Sequence, residues 1–179
     1  MRIDKQSYRE TVESLLQNTD QRTPPINISR IANDLGIMVL ETSMPEPDVS
    51  GFIVKRDDGQ ICIYVNEDDS ITRQRFTIAH ELAHYYLHYR ESNGVSDKKG
   101  ILDFVKFRNG VYDEGGRDEE KQANAFAAEL LVPFNALREL WEAGHMDAAF
   151  LANRFAVSTE MMINRLKSCV KDLNKTARY

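Results

Sequence analysis

The sequence predicts an α+β fold, mostly helical, with a small three- to four-stranded β-sheet and a C-terminal helix-turn-helix-like lobe. Three observations predict it. Apolar residues recur at helical spacing through most of the chain. Two short runs rich in β-branched residues flank Asp57-Asp58-Gly59, a tight turn signal. From Asp147 onward a capped helix, a short turn and a second capped helix close the chain.

The 179 residues fit one domain with a small appendage, read as residues 1–135 and 136–179. A hydrophobic content of 42% beside 28% charged residues suits a globular protein. The net charge of −5 argues against nucleic acid as the main ligand. No apolar run follows Met1-Arg2-Ile3-Asp4-Lys5, so no secretory signal is visible, and no segment reaches the roughly 18 apolar residues of a membrane span. The expectation is a cytoplasmic protein without a membrane partner. Cys62 and Cys169 sit in no paired-ligand spacing and read as small buried hydrophobes.

Taken in order, residues 7–16 form an amphipathic helix with Tyr8, Val12, Leu15 and Leu16 on one side, broken by Thr23-Pro24-Pro25. A second helix runs from about Asn27, buries Ile28, Ile31, Ala32 and Leu35, and ends at Gly36. Ile37 to Leu40 is a strand. Gly51–Lys55 and Gln60–Asn66 form a hairpin whose second strand, apolar almost throughout, belongs at the sheet centre. Peptides often dock on exposed sheet edges, but which strand is the edge is not legible in the sequence. Asp69 or Ser70 caps a helix over about 71–88, with Ile78, Leu82, Tyr85 and Tyr89 as its buried stripe. Residues 90–117, punctuated by Gly94, Gly100, Gly110 and Gly115-Gly116, read as an irregular connector or cleft-flanking loop with a short strand near 101–107. Asp118 caps a helix to about Leu131, ended by Pro133. Helices over 134–142, 148–155 and 159 to about 170 follow.

Within the 71–88 helix stands His80-Glu81-x-x-His84. Residues four apart lie one above the other on a helix face, so the two imidazoles can reach one Zn²⁺. Glu81, beside the first histidine, is then placed to take a proton from water and pass it to a leaving amine. The row His80, His84, His88 stands about 200° from the apolar stripe, as a cleft lining would. His88 is excluded as a ligand, because eight residues of straight helix separate it from His80 by about 12 Å. It reads as a packing residue behind the ligands.

A catalytic zinc takes three protein ligands and keeps one position open. Glu120 completes the set, with Glu119 as the alternative. Asn124, one turn on, shares the Glu120 face and can hold the far nitrogen of a liganding histidine. No oxyanion-stabilising group is selected among Tyr85, Tyr86, His88 and the arginines. The C-terminal stretch from 147 carries six cations against three acids, a local balance of +3. A structural lobe with a solvated basic face is preferred there over a DNA reader.

These blocks resemble the ImmA/IrrE metallopeptidases. The likeness lies in Arg73 through His84 with Leu87-His88, in Glu120 through Pro133, and more weakly in Leu151–Ser158 with Arg165-Leu166. The resemblance implies a zincin-like, thermolysin-like site with zinc on His80, His84 and Glu120 and with Glu81 as acid/base. It also implies a helix-turn-helix repressor as protein substrate, cleaved to release prophage, mobile-element or stress genes. The alternatives are a DNA- or partner-binding transcriptional regulator with a non-catalytic metal, and a broad peptidase with no regulatory role.

Overall fold

The computed structural model describes residues 5–44, 46, 48–89 and 114–176. The expected strand near 101–107 lies outside them. Among the described residues are three strands and seven α-helices: α1 Lys5–Asn18, α2 Ile28–Asp34, β1 Ile37–Thr42, β2 Gly51–Lys55, β3 Ile61–Asn66, α3 Ile71–His84, α4 Glu114–Leu131, α5 Phe134–Glu142, α6 Ala148–Phe155 and α7 Thr159–Thr176. The fold is α+β and mostly helical. A π-helical turn, Tyr85–Tyr89, continues α3.

The chain groups into two compact units. Residues 28–127 form one; residues 1–27 and 128–179 form the other, so the division falls within α4. Helix α1 thereby joins the C-terminal helices, whereas the sequence reading kept it with the first 135 residues. A long-range ion pair explains the difference: Arg9 Nη2 donates to Asp172 Oδ2 at 2.7 Å.

In the 28–127 unit the sheet order is β1-β3-β2. β3 is central, as its unbroken apolar run required; β1 pairs with it in parallel and β2 antiparallel. Among the described residues β1 and β2 are the two edges. Gly59 closes the hairpin at φ +86°, and Gly36 ends α2 at φ +75°, conformations that favour glycine. Strand alternation and register place Gly51, Ile53, Ile63 and Val65 on one face. Gly51 on that face lies against Thr77 of α3; a Cβ there would stand 2.5 Å from Thr77 Cγ2 and 2.4 Å from Tyr64 O. On the other face Phe52 stacks on Tyr64 with centroids 5.1 Å apart.

Helix α3 is fixed at its start by Ser70, whose Oγ accepts from Arg73 N. Gln74 Nε2 donates to Asn66 O at 3.0 Å and Arg73 Nε donates to Ser50 Oγ at 3.0 Å, tying the helix to the ends of β3 and β2. Two expectations about the helices are corrected. The α-helix stops at His84 rather than at 88, because the next five residues widen into the π turn. α4 begins at Glu114, so Asp118 lies inside it rather than capping it; Gly115-Gly116 is helical despite its breaker composition.

In the other unit α5 and α6 have the expected bounds, and Asp147 caps α6 by accepting from Phe150 N at 2.7 Å. α7 runs six residues beyond the expected end. Its core includes Leu137, Leu151, Phe155, Met162, Cys169 and Leu173. Cys62 and Cys169 are free and buried in their respective units, as read from the sequence.

Candidate metal centre

Helix α3 is buried on all sides from Thr77 to His84. The sheet covers one side; α4 reaches the histidines on another, through Glu120 and Asn124. The histidine row therefore does not line an open cleft, as its distance from the apolar stripe had suggested: His80 is 6% and His84 3% exposed. Placing imidazoles in such a setting is costly unless their nitrogens are matched.

They are matched by one another and by α4. His80 Nε2 lies 3.2 Å from Glu120 Oε2, and His84 Nε2 lies 3.1 Å from Glu120 Oε1. The two Nε2 atoms are 3.0 Å apart. On the far side of the first ring, His80 Nδ1–H donates to Asn124 Oδ1 at 3.1 Å, the tautomer that leaves Nε2 with its lone pair. Helical spacing explains both halves. His80 and His84 are four apart on α3; Glu120 and Asn124 are four apart on α4.

The donor set fits a small divalent ion. Two imidazole nitrogens and one carboxylate are a known zinc triplet, and in a tetrahedron with bonds of about 2.05 Å the ligand atoms stand ~3.3 Å apart. The three observed separations of 3.0 to 3.2 Å come close to that edge length. Among the described residues no fourth His, Cys, Asp or Glu joins the group. A three-donor site is the catalytic pattern; structural zinc sites close with four.

The titration behaviour follows from the packing. Burial lowers the His84 pKa below its ordinary 6.5, the hydrogen bond to Glu120 opposing it, so the ring is neutral at pH 7. Burial alone would raise the Glu120 carboxyl, but its hydrogen bonds with His80 and His84 outweigh that and hold it far below the usual carboxylate range. The group is thus poised with a charged carboxylate and a neutral His84 ring, the protonation states a metal requires.

Of the other predicted residues, Glu81 is fully buried at 0% exposure, directly after His80. Glu119 is exposed and takes no part in the donor group, which selects Glu120. His88 lies in the π turn, half-buried, with its ring centroid 5.6 Å from that of His84 and outside the donor group. The straight-helix distance does not apply to it, since the turn departs from α geometry. Tyr86 stacks on Phe126 of α4 at 5.7 Å. Gly51 was not singled out from the sequence. Its lack of a side chain is what admits β2 against Thr77, one turn before Glu81, and a strand-initial glycine was its only signal.

The model of a peptidase family, Peptidase_M78, described as an IrrE N-terminal-like domain, matches residues 32–167. No curated protein matches the chain. Among solved structures, a Mycobacterium tuberculosis transcriptional regulator is similar at 21% identity with a TM-score of 0.63. That likeness covers 90% of this chain and 46% of the regulator, so the chain spans about half the regulator's length. At that identity the likeness speaks for the fold.

Proposed function

The chain belongs to the Peptidase_M78 family, and from that premise we propose that it is a zinc-dependent endopeptidase acting on a regulatory protein. The observation that carries the reading is the convergence of His80 Nε2, His84 Nε2 and the Glu120 carboxylate within 3.2 Å of one another. His80, His84 and Glu120 would hold the ion, which when bound lowers the pKa of water and polarises the scissile carbonyl. Asn124 fixes the His80 tautomer through Nδ1. Glu81 takes a proton from the attacking water on its carboxylate and returns it to the departing amine. Its place directly after His80 on α3 supports this role.

For the substrate we propose a helix-turn-helix repressor in the cytoplasm. The family supports a protein substrate, and the solved neighbour named a transcriptional regulator supports a regulatory setting. The test is cleavage of a panel of purified helix-turn-helix repressors, by the zinc-loaded protein and its Glu81→Gln variant. Cleavage at one bond is expected, reduced by about 10²- to 10⁴-fold in Glu81→Gln with zinc content unchanged. Undiminished cleavage by Glu81→Gln would refute the acid/base role. Rapid digestion of casein would replace the repressor reading with a broad peptidase.

A further inference from the structure

Helices α6 and α7 form a helix-turn-helix within their own unit. Ala156, at φ +53°, makes the turn in the left-handed region, and Leu151, Ala152, Phe155, Val157 and Met162 of the two helices and their turn are buried. Ser158 Oγ accepts from Met161 N at 3.1 Å and starts α7.

The charges of this stretch are sorted by the fold. Arg165 is buried against Glu129, and Arg154 Nη1 donates to Pro24 O at 2.6 Å. Of the acids, Asp147 is engaged as the α6 cap and Asp172 by Arg9. What remains outward on the C-terminal half of α7 is Lys167, Lys171 and Lys175, all exposed. They are spaced four apart, so they lie along one face over about 12 Å of helix. No ion pair links any of the three to an acid among the described residues. The modest +3 of the sequence has become an unneutralised row on one helix, Glu160 standing alone near its start.

We propose that this unit binds the phosphate backbone of duplex DNA through Lys167, Lys171 and Lys175, with no strong sequence preference. Duplex DNA is favoured over other polyanions by the pairing of a helix-turn-helix with cations on the far half of its second helix. In such modules the start of that helix meets base edges and its end meets backbone. Here Glu160 and Ile163 occupy the base-facing half, which suits neither phosphate nor tight base reading. The function is anchoring, and it is separate from the metal centre. A peptidase so anchored is concentrated where DNA-bound regulators are.

The experiment is fluorescence anisotropy of the full chain with a labelled duplex of arbitrary sequence, across a salt series. Three neutralised phosphates predict a log–log salt slope of about −2.7, at ~0.9 per contact. Lys167→Gln/Lys171→Gln/Lys175→Gln together should weaken binding at low salt by at least about tenfold and flatten that slope. Arg30→Gln/Lys55→Gln/Arg56→Gln changes net charge equally at exposed cations of the other unit and should leave binding nearly intact. Circular dichroism confirms that each variant is folded. Absence of duplex binding by the wild-type chain overturns the proposal, as does equal loss in both triple variants. Tighter binding to phosphatidylserine vesicles than to duplex reassigns the row to a membrane and also overturns it. Retention of duplex binding by Glu81→Gln is expected and separates this result from failure of the peptidase reading.

Discussion

His80 Nδ1 donates to Asn124 Oδ1 across 3.1 Å, and that contact selects the nitrogen turned towards Glu120. A single amide on α4 thus controls the orientation of a ring on α3. Removing it frees the ring to rotate and to protonate at Nε2. Asn124→Ala is expected to weaken zinc binding by about 10- to 100-fold without unfolding the chain. Chelator competition against a chromophoric zinc indicator measures it; unchanged affinity would show that packing alone orients His80.

Glu129 and Arg165 form a second buried relationship. Arg165 Nη2 donates to Glu129 Oε2 at 2.5 Å and its Nε donates to Val132 O, while Glu129 Oε1 accepts from Phe134 N at 2.8 Å. Both residues are under a tenth exposed. Arg165→Met leaves a carboxylate buried with half its partners gone, and should cost about 3–5 kcal/mol in urea unfolding. Arg165→Met with Glu129→Gln should recover part of that, because the amide can still accept from Phe134 N without a buried charge.

Gly51→Ala should be destabilising despite its conservative appearance. The new methyl would meet the Tyr64 carbonyl, which is held in the sheet, and Thr77 Cγ2. Overpacking of that kind costs about 1–3 kcal/mol and moves β2 off α3. Thr77→Ser or Thr77→Ala in the same background relieves only the second clash, so partial rescue of the melting temperature is expected.

The metal-free chain should lose stability on the acid side of neutrality. Burial holds His84 below 6.5 in the folded state, whereas the unfolded chain takes up its proton near that value. The unfolded state therefore binds more protons, and stability falls as pH drops through about 6.5. Thermal melts of the apo-protein across this range should show a decline that His84→Gln flattens. Saturating zinc should raise the melting temperature at neutral pH, and by less at acid pH where protons compete for the histidines.

The donor group was legible because it obeys a single local rule. His80 with His84, and Glu120 with Asn124, are each one helical turn apart, so each pair shares a face whatever surrounds it. The central place of β3 was legible for a similar reason: Ile61 to Val65 offers no polar alternation that could face water. What was not legible depends on contacts between distant residues. Nothing near Arg9 announces Asp172, 163 residues away, so the grouping of α1 with the C-terminal helices could not be read from the sequence. The histidines seemed to face a cleft because periodicity reports the spread of residues around an axis and not what packs against each side. Gly115-Gly116 read as part of the connector before the helix on propensity alone, which a following run of strong helix formers overrides.

The π turn at Tyr85–Tyr89 gives the end of the histidine helix an odd phase. Such a turn accommodates one more residue than an α turn, so it behaves as an insertion that the helix has absorbed rather than expelled. Excising Leu87 would let the segment wind regularly and leave the next imidazole, His88, three α steps beyond His84, about 300° around the helix axis, in place of four narrower steps. The ligand pair upstream would keep its own phase, since His80 and His84 precede the irregularity. One deletion thus offers a way to re-aim the third histidine while the first two stay where they are.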